Sequence, residues 1–433
     1  MRFSKNREVK MVSKISSLLK NKIFINGVWL YVLQFFNTIM PLLTLPYVTR
    51  VLGSSQYGVF SFSLTFVTYF QVIVEYGFNL SGSRKIALTS TRDERSKIFT
   101  SITITKLLLC LISFIVMVSI SFVLNLDKEQ FFSILVLYTM VIGTAIQQIW
   151  LFQGLQVMKF ITIINVLSRV ISVMLIFGLI KNPNQVYLYC ALYAITSLLN
   201  GVFSALITRY KLKIRFTKIT IQDIFIELKE GWATFTTSAM SVIFSGIGVM
   251  VLGFTNSSNS TIGVYSAIQK IPYMMIMFFS PISQAIFPRV SQQFSISFDK
   301  GISSVRKISK FVIPIVAIVS LILMLFSDLI VSLVYGEQYS TYFLLMIPLV
   351  CWFFLSILNN FLGIQNLVAS GHQKEYSTAF KISALVIILS NILLGYIWGV
   401  YGVAYATLFS EFILTISLVY QNKKVKNKFR YNR

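Results

Sequence analysis

The feature that most constrains this chain is a series of long, nearly unbroken apolar runs, among them Leu107 to Leu124, Phe160 to Ile180 and Phe311 to Phe326. Runs of about 20 mostly apolar residues match the hydrocarbon core of a bilayer when they form helices. A spanning helix satisfies its own backbone hydrogen bonds where no water is at hand. The short alternating segments of a β-barrel are not found in the sequence. Composition agrees: 56% of the 433 residues are hydrophobic and 12% are charged, with a mean hydropathy of +0.75, whereas soluble domains carry about 25% charged residues. Residues 1–23 are polar and basic, and the first apolar stretch leads into a full-length span, so no cleavable signal peptide is expected. Cys110, Cys190 and Cys351 all lie in apolar runs, and their odd number and spacing suggest neither a disulfide framework nor a metal site.

The runs predict about twelve transmembrane helices, near 24–49, 57–78, 103–126, 131–151, 160–180, 187–208, 233–254, 263–287, 311–334, 341–361, 377–399 and 402–421. An even number puts both termini on one side. Of the 38 Lys and Arg residues, 31 fall in the tails and loops of that side. Three (Arg50, Lys128 and Lys181) fall on the other side, and four lie within helices or at their rims. By the positive-inside rule the N and C termini are cytoplasmic and the protein is a multi-pass inner-membrane protein. The net charge of +24 then reflects topology and attraction to anionic membrane lipids, and nucleic acid is not expected as a partner.

Loops are short on both sides, leaving no room for a soluble catalytic domain, and no GxxxxGK[ST] phosphate loop occurs. Direct use of ATP by this chain is not expected, and neither is any cofactor. Two stretches read alike. Trp29 is followed by Val51-Leu52-Gly53 and Gly58-Val59-Phe60-Ser61; Trp232 is followed by Val251-Leu252-Gly253 and Gly263-Val264-Tyr265-Ser266. Internal repeats of this kind are typical of secondary transporters, which bind between the repeats. The expected division is an N-terminal lobe of six helices (1–208), a basic cytoplasmic linker (209–232), a C-terminal lobe of six helices (233–421) and a basic tail (422–433).

Ionisable groups inside a membrane are costly, which makes them functional candidates. Arg169 and Glu411 fall near the middles of helices five and twelve, and Lys270 in the outer third of helix eight. Each needs a water-filled cavity or a partner: either Arg169 and Lys270 meet an anionic substrate while Glu411 titrates, or all three clamp packed helices. Glu75 and Lys106 are close enough in depth to pair, and Glu75 is a coupling or ion-pair candidate together with Glu411. Lys106 and Lys381 are expected to snorkel to the interface. Arg50 ends helix one on the outer side, as an interfacial anchor or a guard of a cavity mouth. Gln34, Asn37 and Thr38 share one helix face, suited to sugar hydroxyls or to interhelical hydrogen bonds. Pro41, Pro46, Pro272 and Pro281 interrupt helices one and eight. His372, the one histidine, is expected to be exposed in a short loop, and no catalytic constellation is visible.

These residues carry a resemblance that runs over nearly the whole chain. Pro41-Leu42-Leu43-Thr44-Leu45-Pro46-Tyr47-Val48-Thr49-Arg50-Val51-Leu52-Gly53 with Tyr57-Gly58 is its most specific stretch. Tyr76-Gly77-Phe78-Asn79-Leu80-Ser81-Gly82-Ser83-Arg84, Trp150-Leu151-Phe152-Gln153-Gly154, Tyr265-Ser266-Ala267 with Lys270, Phe287-Pro288-Arg289 and Tyr335-Gly336-Glu337-Gln338-Tyr339 follow. The chain resembles the Wzx-type polysaccharide (O-antigen) flippases of the multidrug/oligosaccharidyl-lipid/polysaccharide exporter superfamily. It departs at Gln156, where many relatives carry an acidic residue. The resemblance implies an all-α, MATE-like membrane fold of two six-helix lobes. It implies a substrate of oligosaccharide units on undecaprenyl pyrophosphate, delivered to a polysaccharide polymerase or assembly complex. Arg169 and Lys270 are the positions that would meet the pyrophosphate, and Glu75 and Glu411 those that would couple to an ion gradient. Two other readings compete. In an ion-coupled drug or metabolite exporter of the same fold, a buried carboxylate would be expected to dominate the lumen, but here two cations accompany Glu411. A membrane glycan polymerase is expected to carry a large basic outer loop, and none is present.

Overall fold

The computed structural model describes residues 22–255 and 257–431. Most of the basic N-terminal tail and both chain ends, on which the expected cytoplasmic termini turn, lie outside these residues. Within them the regular structure is entirely helical. Fourteen α-helices follow in order: α1 (Lys22–Glu75), α2 (Phe78–Leu88), α3 (Arg92–Val123), α4 (Lys128–Ile146), α5 (Ile149–Gly154), α6 (Met158–Leu179), α7 (Val186–Leu206), α8 (Ile221–Phe254), α9 (Asn259–Ile296), α10 (Phe298–Leu325), α11 (Ser327–Tyr335), α12 (Glu337–Ser340), α13 (Met346–Asn360) and α14 (Gln373–Tyr431). Wider turns of π type extend α7 over Ile207–Lys211 and α13 over Phe361–Val368.

Ten stretches among the described residues are long and apolar enough to cross a membrane. The first and last run for 64 and 56 residues, far beyond the roughly 20 that one crossing needs. Each is broken by a glycine in the left-handed region, Gly53 at φ 75° and Gly399 at φ 56°. At the second break the chain folds back tightly: a Cβ on Gly402 would sit 1.8 Å from the Leu394 carbonyl oxygen. Counting the arms of these two helices separately gives twelve apolar segments, matching the sequence expectation.

Contacts divide the chain into two compact units. The first holds the chain through Thr44, Phe66–Lys181 and Tyr187–Val242; the second holds Leu45–Thr65, Asn182–Val186 and Ile243–Arg433. This grouping cuts across the expected boundaries at 208 and 233, for two physical reasons. The stretch expected as a linker packs onto the first unit. Ile214 is buried with Tyr76, Phe78, Ile86, Phe99, Ile102, Trp150 and Leu151 in one apolar cluster. The Arg215 and Thr217 amides donate to Ser96 Oγ and Thr100 Oγ1. At the start of α8, Glu227 is buried and receives Lys85 Nζ at 2.9 Å and Ser101 Oγ at 2.8 Å. Glu230 takes the same lysine at 2.9 Å.

The second reason is that residues 45–65 pack against α9. A Cβ on Gly58 would lie 1.7 Å from the Asn259 carbonyl oxygen, and one on Gly263 would lie 1.9 Å from that of Ser54. Gly58 and Gly263, like Ser54 and Asn259, stand 205 positions apart. The two Gly-Val-aromatic-Ser motifs read as a repeat in the sequence therefore meet each other, each glycine admitting the backbone of its counterpart's helix. Small residues that let helices approach this closely are the usual device of membrane packing.

Candidate functional site

In the first unit the candidate polar face forms around a proline. Pro41 has no N–H, so the carbonyl four residues earlier, at Asn37, loses its helical partner. Arg169 Nη1, from α6, donates to the Asn37 carbonyl at 3.2 Å. Arg169 and Asn37 are thus brought together, though through the backbone of Asn37 and not its amide. Gln34 lies one turn earlier, half-buried, and its carbonyl accepts Thr38 Oγ1 at 2.9 Å. The same two helices are joined lower down by Thr162 Oγ1, which donates to the Trp29 carbonyl at 2.8 Å. Asn165, one turn from Arg169 on α6, accepts Asn200 Nδ2 at 3.0 Å.

Glu75, also in this unit, is half-buried, and among the described residues it forms no ion pair with Lys106. Lys106 does not snorkel as its depth in the sequence suggested. Its side chain is 4% exposed and Nζ donates to the carbonyls of Thr144 at 2.5 Å and Gln147 at 3.1 Å. The reason is a helix break that no proline or glycine announces. The backbone turns extended at Gln147, between α4 and α5. The Gln148 amide donates to Ser204 Oγ instead of to Thr144, and buried carbonyls freed this way must find donors.

In the second unit two of the motif stretches touch. The break at Gly53 frees the Ser54 amide and the Thr49 carbonyl, and the Gln338 side chain serves both. Its Oε1 accepts from Ser54 N–H at 3.3 Å, and its Nε2 donates to the Thr49 carbonyl at 3.4 Å. Arg50 is exposed, and its guanidinium donates to the Leu333 carbonyl at the end of α11. The buried Tyr335 hydroxyl donates to the Ala267 carbonyl at 2.6 Å. The Tyr335-to-Tyr339 turn therefore fastens the first hairpin to α9, which gives its residues a structural reason that the sequence did not reveal.

Lys270, on α9, is exposed, with Nζ 5.8 Å from the Tyr273 ring centre. Among the described residues no carboxylate lies within ion-pair distance of it. Glu411, on α14, is held differently. Asn359 Nδ2 donates to its Oε1 at 2.8 Å and to its carbonyl at 3.1 Å. Close by in sequence, Ser283 donates to Asn360 Oδ1 at 2.8 Å and receives Gln365 Nε2 at 3.0 Å. Gln365 lies in the π-type turn, a distortion that frequently marks functional positions. Gln338, Asn359 and Gln365 were not singled out from sequence; amides on apolar helices were the only signal available. Lys381 and Asp328 are exposed, and the His372 ring nitrogen Nδ1 sits 2.9 Å from Ser370 Oγ.

An all-helical chain with twelve apolar segments and interrupted helices is a multi-pass membrane protein. Solved structures share the fold. An inward-closed structure of lipid II flippase MurJ matches over 91% of this chain and 87% of its own, at a TM-score of 0.71 and 17% identity. An inward-facing multidrug resistance MATE family transporter of the MOP superfamily matches over 90% and 95%, at 0.67 and 16%. Residues 23–294, more than half of the chain, match the polysaccharide biosynthesis protein family, and the chain belongs to it. A protein of Escherichia coli (strain K12), provisionally named an O-antigen transporter, is 28% identical over 392 residues, covering 90% of this chain and 94% of that one. A protein of Shigella dysenteriae with the same provisional name is 27% identical over 91% of this chain and 98% of its own. The chain is a multi-pass transporter of the bacterial cytoplasmic membrane.

Proposed function

We propose that this protein flips oligosaccharide repeat units linked to undecaprenyl pyrophosphate from the inner to the outer leaflet of the cytoplasmic membrane. Alternating access moves them, for synthesis of O-antigen, capsule or exopolysaccharide. The observation that carries this reading is the family match, joined to relatives named for O-antigen transport along nearly their whole lengths. Both termini lie in the cytoplasm, as the charge asymmetry of the loops supports.

The chemistry of the cargo suits the charges present. A pyrophosphate leaving water needs cations that are not already neutralised by carboxylates. Lys270 is such a cation: exposed, stacked near an aromatic ring and without a carboxylate beside it among the described residues. Arg169 donates to a backbone carbonyl, which leaves its charge unneutralised. Gln34 and Asn37 offer amides for sugar hydroxyls, and Arg50 stands at the outer end of the path. Glu75 and Glu411 are the carboxylates for coupling to an ion gradient. Anionic membrane lipids surround the basic face, and a polymerase or assembly complex receives the product.

The test is a strain lacking the gene, with lipid extracts quantified by mass spectrometry. Accumulation of undecaprenyl-pyrophosphate-linked single repeat units with loss of surface glycan, both reversed by the restored gene, is expected. Unchanged pools would sink the reading and point instead to an exporter of another cargo.

A further inference from the structure

The first unit sorts its cations into two kinds. Lys85 is taken by Glu227 and Glu230, and Lys97 by Asp223 at 3.0 Å. Lys159, at the start of α6, and Lys211, at the end of α7, have no carboxylate within ion-pair distance among the described residues. Both are exposed, and both approach the same ring. Lys159 Nζ lies 5.4 Å and Lys211 Nζ 4.8 Å from the centre of Phe160. A cation over an aromatic face is modestly stabilised, but two like charges at one ring repel each other, and no acid among the described residues offsets that.

The ring stands where apolar packing ends. Phe160 is 8% exposed and clusters with Phe152, Ile161 and Ile164, so the two ammonium groups cap an apolar layer. One and two turns along α6 from Lys159, Ile163 and Leu167 are exposed; on α7, before Lys211, Leu206 and Val202 are exposed. The π-type turn over Ile207–Lys211 sets the position of Lys211. There the Leu212 amide donates to the Ile207 carbonyl, five residues back, at 3.0 Å. With 3.6 residues per turn Lys211 would point well away from the line of Leu206, and the wider turn swings it back toward that line. Such turns are rare and recur at functional positions. A lysine above exposed apolar residues on each of two helices complements an amphiphile with an anionic head.

We propose that Lys159 and Lys211, converging on Phe160, bind the phosphodiester of an anionic phospholipid whose chains lie along the exposed apolar positions of α6 and α7. Basic pockets between membrane helices at the cytoplasmic end suit such headgroups. A zwitterionic lipid is a poorer ligand, because its own ammonium competes with the lysines. A free phosphate gains nothing from the apolar positions. Placing the lipid in the inner leaflet rests on the cytoplasmic orientation of the basic loops proposed above. The binding itself rests on the first unit alone, so failure of the flippase reading would leave it intact.

The test uses the purified full-length protein in detergent, with thermal unfolding followed as dioctanoyl phosphatidylglycerol is added. The wild type is expected to unfold at a higher temperature, saturably, as binding to the folded state requires. Dioctanoyl phosphatidylcholine and inorganic phosphate are expected to leave the temperature where it was. Lys159→Gln and Lys211→Gln should each raise the half-maximal concentration about fivefold, and the two together about 25-fold. Lys159→Arg with Lys211→Arg should stay near wild type. Lys423→Gln with Lys424→Gln removes the same charge from the basic tail and is expected to keep the wild-type response. Equal weakening in the tail variant overturns the proposal, since the response would then follow net charge alone. So does an equal rise with phosphatidylcholine or with inorganic phosphate. A rise with undecaprenyl pyrophosphate and none with phosphatidylglycerol would assign the lysines to the cargo and overturn it as well.

Discussion

Arg169 answers an acceptor that Pro41 creates. The proline removes one N–H, the Asn37 carbonyl is left open, and the guanidinium reaches it from the neighbouring helix. Arg169→Ala is expected to leave that carbonyl unsatisfied, at about 1–3 kcal/mol, read as a lowered unfolding temperature of the purified protein. Lys270 bears no such structural duty. Lys270→Ala is expected to block transport while expression and unfolding temperature stay near wild type, and Lys270→Arg to keep most activity. Full activity in the alanine variant would remove Lys270 from the path. At this scale the sequence disclosed depth and not surroundings. It marked Arg169, Lys270 and Glu411 as charges inside the membrane. It did not disclose that Asn359 holds Glu411, because the partner comes from a helix about 50 residues away. Lys106 was misjudged for the same reason: its depth allows snorkelling, and only the carbonyls freed at Gln147 show why it stays inside.

At the scale of elements, the reciprocal crossing of residues 54–58 with α9 brings backbone against backbone. Gly58→Ala places a methyl against backbone, which a flexible side chain cannot relieve, and overpacking of this kind costs about 1–3 kcal/mol. Gly263→Ala is expected to cost a similar amount. The double variant should cost less than the two together, because one widening of the same crossing relieves both clashes. Strict additivity of unfolding free energies would contradict the reciprocal geometry. The start of α8 makes a second case. Glu227 is buried with Lys85 as its cation, and removing one partner of such a pair strands the other, at about 3–5 kcal/mol. Lys85→Ala should accordingly raise protease cleavage between residues 211 and 221, and Lys85→Ala combined with Glu227→Gln should restore protection. The repeat at Gly58 and Gly263 was legible as sequence, since two copies of one motif stand out. The docking of 209–232 was not, because a basic stretch between apolar runs looks the same whether it is solvated or packed.

For the whole molecule, apolar run lengths suffice to count the segments, and the asymmetry of Lys and Arg gives their expected orientation. That information is redundant over hundreds of residues, which is why it survives errors at any one helix end. The grouping into two units was less legible, since it depends on close contacts at a few small residues and on Gln338 bridging the break at Gly53. The cargo lies beyond such patterns, and family membership together with the isolated cations supports it. The most direct measurement is flipping by the purified protein in proteoliposomes, using undecaprenyl-pyrophosphate-linked oligosaccharide and an impermeant reagent that modifies only outward-facing glycan. The account expects wild-type protein to expose the inner pool and Lys270→Ala protein to leave it protected. A pool equally protected with wild-type protein and with empty vesicles would contradict the account.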